Sequence, residues 1–286
     1  MRRRILFFFL TLALGVSPSF AELPESLRFA KILSDNVVLQ QGKPITVWGW
    51  AKPGTAVKVT LTQDVASGTK AEAELFRGDV AGQIESNDYS VGMRYVEKNP
   101  PRLHEKTLTA KADKQGRWSV SFPAAKASFQ PTWLVARSGG ETVVVRNVLI
   151  GEVWICAGQS NMGWSGFNRK DREAVSADFP GLRYVAWEDS WYKPLDEIKA
   201  RIGWRECNPE NAQRFSAVPY LFGTFLHRYL KVPVGIINVA RGGTLGQTWC
   251  LRSELDSIDD KIIKAVLDDY DAETAVWDDE KQVAAL

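Results

Sequence analysis

The run "VLIGEVWICAGQSNMGWSG", residues 148–166, most constrains what this chain can fold into. Its first part is almost continuously apolar, the pattern of a parallel strand buried on both faces. It stops abruptly at Gly-Gln-Ser-Asn-Met. A serine after a glycine turn has two readings. As a helix N-cap, its hydroxyl bonds the open N–H groups of a first helical turn. As a nucleophile, it stands above the carboxyl edge of a sheet, where α/β proteins bind ligands.

The residues that follow keep both readings alive. "LRYVAW" (182–187) has the composition of a further strand, and "SAVPYLFGTFLHRYL" (216–230) places Val218, Leu221, Phe222, Phe225 and Tyr229 on one helical face. Pro233 and "VGIINVA" come next, a second strand of the buried kind, ending in "RGGT". Strand, helix and strand with short connections predict a doubly wound α/β domain. A polar helical stretch closes the chain. Neighbouring parallel strands would bring "AGQSNMGW" and "ARGGTLGQTW" to one sheet edge. Acyl transfer needs such a pair: a nucleophilic oxygen on one loop, and on another a backbone N–H that glycine leaves accessible. A Gly-Gly pair alone is more often only a turn.

Before residue 148 the pattern is different. "VVLQ", "ITVWGWA", "AVKVTLT", "KTLTAKAD", "RWSVSFPA", "WLVARSGG" and "TVVVRNVLI" are short β-rich runs, some punctuated by turns such as Lys52-Pro53-Gly54 and Gln115-Gly116. This predicts a β-sandwich, with the more polar Val65–Pro101 segment as an insertion or long hairpin. At the N-terminus, three arginines precede an apolar stretch from Ile5 to Val16 and then Ser19-Phe20-Ala21, the pattern of a secretory signal cleaved after Ala21. The apolar stretch is shorter than the roughly 20 residues a membrane span needs. The expected organisation is therefore a leader at 1–21, a β-sandwich at 22–148 and an α/β domain at 149–286. The expected location is secreted or periplasmic, with no membrane association after cleavage.

Without the leader's three arginines, the 36 basic residues fall to 33 against 34 acidic. No basic face remains to neutralise phosphates, which argues against nucleic acid as a partner. Cys156, Cys207 and Cys250 are an odd set for an exported chain. Cys156, inside the apolar run, reads as a small buried hydrophobe, and Cys207 with Cys250 is the more plausible bridge. With only His104 and His227 besides, no cluster has metal-ligand spacing, so no metal or cofactor is expected.

On these motifs the chain resembles the sialate O-acetylesterase family, secreted carbohydrate esterases of the SGNH hydrolase superfamily. The resemblance covers nearly all of the chain after the leader. It is carried by "LSDNVVLQQGKPITVWGWAKPGTAVKVTL" (33–61), "AKADKQGRWSVSFPA" (110–124), "VLIGEVWICAGQSNMGW" (148–164) and "FSAVPYLFGTFLHRYLKVPVGIINVARGGTLGQTW" (215–249). It implies a β-sandwich followed by a flavodoxin-like hydrolase domain, and removal of O-acetyl groups from sugars, sialic acid being the namesake. It also implies that Ser160 is the nucleophile, and that its N–H and that of Gly243 form the oxyanion hole. Gln159 and Asn161 become scaffold or acyl-pocket contacts, with Gly242 a neighbour open to the oxyanion role.

A serine hydroxyl needs a base, usually histidine held by a carboxylate. The family pattern places an Asp three residues before its His, whereas Pro101 precedes His104 and Thr224 precedes His227 at that distance. His227, nine residues beyond Val218, falls opposite the apolar stripe, on the expected solvent face of its helix. His104 is expected on a surface strand or loop. The family's Asn in a "QGESN"-like segment is also missing from the sequence. The expectation is an α/β domain incomplete at its C-terminal end, holding half an active site, exposing apolar faces and inclined to aggregate. Two other readings remain open. One is an esterase for acetylated xylan or pectin. The other is a non-catalytic glycan-binding protein whose tryptophans (Trp48, Trp50, Trp164, Trp187, Trp191, Trp249) stack on sugar faces.

Overall fold

The computed structural model describes residues 26–63, 105–165, 177–187 and 203–276. The expected leader, the 65–101 segment, His104 and Trp191 lie outside them.

Alternating apolar and polar residues organise the N-terminal strands. A three-stranded antiparallel sheet contains β1 (Arg28–Phe29), β3 (Ile45–Trp50) and β6 (Arg117–Phe122), in that order in space with β3 central. Along β3 and β6, Ile45, Val47, Trp118, Val120 and Phe122 turn inward, while Thr46, Trp48, Arg117, Ser119 and Ser121 turn outward. The second sheet holds β2 (Val38–Gln40), β4 (Ala56–Thr62), β5 (Lys106–Lys111), β7 (Ser128–Ser138) and β8 (Glu141–Gly158). One hydrophobic cluster joins the two, with Val47, Trp118 and Phe122 meeting Val59, Leu134 and Val148. The expected turns at Gly54 and Gly116 have φ of 77° and 76°, which glycine adopts without steric cost.

β8 is 18 residues long and belongs to both halves of the chain. Its first part pairs antiparallel with β7, and Leu149–Gly151 pair with β2. From Glu152 to Gly158 it instead pairs in parallel with β11 (Val234–Ala240), which is parallel in turn to β9 (Phe179–Trp187). β10 (Arg205–Cys207) adds an antiparallel edge to β9. The residue-148 boundary thus falls inside a continuous strand. A buried arginine braces the same junction: Arg183 on β9 donates to Pro180 O at 2.6 Å and Asn36 Oδ1 at 3.1 Å, and pairs with Glu206 at 3.0 Å. Trp204 donates from Nε1 to Ile32 O at 2.8 Å and packs in the N-terminal cluster.

The helices are α1 (Ser160–Gly163), α2 (Pro209–Ala212), α3 (Ala217–Leu230), α4 (Arg252–Asp256) and α5 (Lys261–Ala275). None in the described residues is long and apolar enough to cross a membrane.

Three expectations are corrected here. α3 turns its other side to the sheet: Pro219, Tyr220, Gly223, Thr224 and His227 are buried, while Val218, Leu221, Phe222, Phe225 and Tyr229 are exposed. The reason is close approach. A side chain at Gly223 would come within 2.8 Å of Leu182 Cδ1, so the narrow side of the helix seats on β9 and β11. Nor is the apolar run of β8 buried throughout. Beyond Gly151 it is paired on one edge only among the described residues, and Ile155 is 69% exposed. The third difference concerns sulfur: Cys156, Cys207 and Cys250 are all free thiols, with Cys207 buried and Cys250 exposed.

Candidate active site

The serine turn is built by the end of β8. The strand finishes at Gly158, and α1 starts two residues later with Ser160 as its first residue and Gln159 as its N-cap. Ser160 is thus inside the helix rather than its cap. Its hydroxyl is exposed and donates to Gln159 Oε1 at 2.9 Å, and its backbone N–H reaches the same oxygen at 3.3 Å. Asn161 is also exposed. The Gln159 side-chain carbonyl therefore occupies the acceptor position at the Ser160 N–H. This N–H is open to a ligand only when the Gln159 side chain turns away.

The glycine turn arrives from β11. Ala240 is in register with Gly158, and Arg241 N donates to Gly158 O at 3.0 Å. The serine turn and the glycine turn therefore both leave the sheet at the carboxyl edge of adjacent parallel strands. Gly243 has φ of 78°, a conformation that disfavours any side chain, and a side chain at Gly242 would meet nothing within 4 Å. The loop is braced from within. Thr244 Oγ1 donates to Arg241 O at 2.9 Å and accepts from Trp249 Nε1 at 3.0 Å, which accounts for the tryptophan following the GGT motif.

Sequence reasoning missed Asn238. This buried side chain on β11 donates from Nδ2 to Met162 O at 3.0 Å and to Cys156 O at 3.3 Å. It ties the serine helix to the strand before and the strand beside it. A polar residue inside the apolar run "VGIINVA" was the available signal, because buried amides are retained where they satisfy backbone groups.

No histidine or carboxylate bonds Ser160 Oγ among the described residues. His227 is fully buried, not on a solvent face. Its Nδ1 lies 2.7 Å from Val232 O, with Phe129 and Phe179 edge-on at 5.8 and 6.2 Å. These neighbours mark the amino end of β9 and β11, whereas Ser160 is at the carboxyl end. The seven residues of β11 separate the two by about 20 Å at the usual strand rise. His227 is out of reach as a base because of where it is buried.

No family model matches the chain. It is 25% identical over 242 residues to the sialate O-acetylesterase of mouse (Mus musculus) and 26% identical over 235 residues to that of Homo sapiens. These matches take in 80% and 78% of this chain but 38% of each relative, so the chain spans well under half their length. Among solved structures, it is similar to a carbohydrate acetylesterase from Xanthomonas citri, with TM-score 0.61 and 28% identity over 80% of this chain and 44% of that one. The mixed α/β architecture is therefore that of a known carbohydrate acetylesterase.

Proposed function

We infer the function of this chain from its place in the sialate O-acetylesterase family: hydrolysis of O-acetyl esters on carbohydrate, with Ser160 as nucleophile. The observation that supports this most is the register of β8 and β11, which sets the GQSNM and GGT turns side by side. Ser160 Oγ attacks the acetyl carbonyl, and its proton passes through a base to the departing sugar oxygen. The negative charge on the tetrahedral intermediate is held by the N–H groups of Ser160 and Gly243. Water then attacks the acetyl-serine and releases acetate. Gln159 swings from its Ser160 bonds to open the oxyanion site, while Asn161 and Gly242 line the acyl pocket.

The same reading treats the N-terminal strands as a β-sandwich over 22–148, the remainder as the first part of an SGNH hydrolase domain, and 1–21 as an export signal. The general base is assigned to an Asp–His pair in the part of the relatives outside the matched span. On this reading the 286-residue chain alone releases little acetate.

The test is acetate release from an acetylated sugar. It compares this chain with a chimaera that supplies the unmatched part of a relative, each with and without Ser160→Ala. Activity in the chimaera that falls at least about 10³-fold on Ser160→Ala supports the assignment. Activity untouched by Ser160→Ala overturns it.

A further inference from the structure

The residue that ends the serine helix is an aromatic side chain left in water. Trp164 caps α1 with φ of −73°, close to the helical value, so its Cβ completes the turn that Ser160 begins. Residues four apart on a helix share a side, with Cβ atoms about 6 Å apart. Trp164 thus stands one turn along from Ser160, on the same side of α1. Its side chain is 63% exposed, and no hydrogen bond or ring contact engages it among the described residues. Tryptophan is well buried on average, so core packing does not account for an indole held out at this edge of the sheet. Trp249 differs, because its N–H braces the glycine turn through Thr244.

The main chain beneath this ring is fixed. Trp164 O accepts from Ala217 N at 2.9 Å and from Ser216 Oγ at 3.2 Å, and the buried Ser216 in turn donates its N–H to Tyr184 Oη at 3.1 Å. Asn238 holds Met162 O, two residues earlier, at 3.0 Å. At Gly163 a side chain would come within 3.2 Å of Ala240 Cβ, so α1 lies tight against the end of β11. The helix is thereby clamped by β9, β11 and α3, and the offset from Ser160 to the indole is set in advance. A preset offset lowers the ordering cost of binding.

An acetyl group on a ring hydroxyl leaves only the ester oxygen between the attacked carbonyl and the sugar ring. When that carbonyl reaches Ser160, the ring must occupy the space beside α1. A pyranose presents a face of C–H groups there, which packs on the flat apolar surface of an indole. We propose that Trp164 is the carbohydrate platform of the Ser160 site, selecting esters carried directly on a pyranose ring over acetyl esters of acyclic alcohols. The inference takes its ligand from the esterase reading above, and it requires neither a base nor turnover.

Saturation-transfer NMR titration of the full chain tests this, with a methyl pyranoside bearing one acetyl on a ring hydroxyl and with ethyl acetate as the ring-free probe. Saturation of the pyranoside's ring C–H protons as well as its acetyl methyl is expected. Trp164→Ala should weaken pyranoside binding about tenfold and remove the ring signals, while Trp164→Phe retains most of the affinity. Ethyl acetate should bind more weakly and be indifferent to both changes. Both variants should fold, because the side chain is exposed and the clamping bonds run to the backbone. Lack of pyranoside binding, or unchanged affinity and ring signals in a folded Trp164→Ala chain, overturns the proposal. Acetate release with and without Ser160→Ala is a separate readout, so the esterase assignment can fail there while the platform stands, and the platform can fail here while the assignment stands.

Discussion

Asn238 positions the serine turn without bonding Ser160 itself. Its two donated bonds leave with Asn238→Ala, stranding the carbonyl of Met162 at the end of the serine helix. A loss of about 1–3 kcal/mol is expected, the usual cost of unpairing buried polar groups, and denaturant unfolding would read it. An unchanged midpoint would mean that water replaces the amide. The thiols separate by environment. Burial pushes Cys207 well above its ordinary value and also raises Cys156, so both resist forming thiolate. A thiol reagent such as DTNB should modify exposed Cys250 first in the native protein, Cys156 slowly and Cys207 only after unfolding. Early loss of the Cys207 thiol would contradict its burial. The turns that carry Ser160 and the two glycines were legible in the sequence because their motifs are local. Asn238 was not singled out, because its role depends on contacts 76 and 82 residues away.

At the scale of elements, β8 and α3 are decided by close approach. A side chain at Gly151 would fall 2.0 Å from Pro233 O, at the point where β11 joins β8 in register. Gly151→Ala should push β11 away and destabilise the parallel sheet by at least about 2 kcal/mol, as overpacking does, with lost secondary structure in circular dichroism. A native-like melt would show that the strands separate cheaply. The same geometry explains the reversed face of α3. Spacing by three and four identifies an apolar stripe but not what lies opposite it. Gly223 and the small side of the helix fit between Leu182 and Ile236, whereas Phe222 and Phe225 do not.

Across the whole molecule, the exposed stripe of α3 continues onto the sheet, where Trp154 meets Phe222 edge-on at 5.4 Å. Contiguous apolar surface of this kind drives association. Phe225→Lys with Leu221→Lys should raise solubility and lower ANS fluorescence while leaving thermal stability within about 0.5 kcal/mol, because both side chains are already exposed. Equal aggregation in the double variant would place the sticky surface elsewhere.

Period-two alternation, turn glycines and the two glycine motifs were determined by the sequence itself, since each depends on residues a few positions apart. Which strands adjoin, how β8 passes from one sheet to the next, and why His227 is walled off from Ser160 were decided only by tertiary structure. Those outcomes depend on which surfaces can come closest, and van der Waals exclusion between distant segments leaves no periodic trace in the chain.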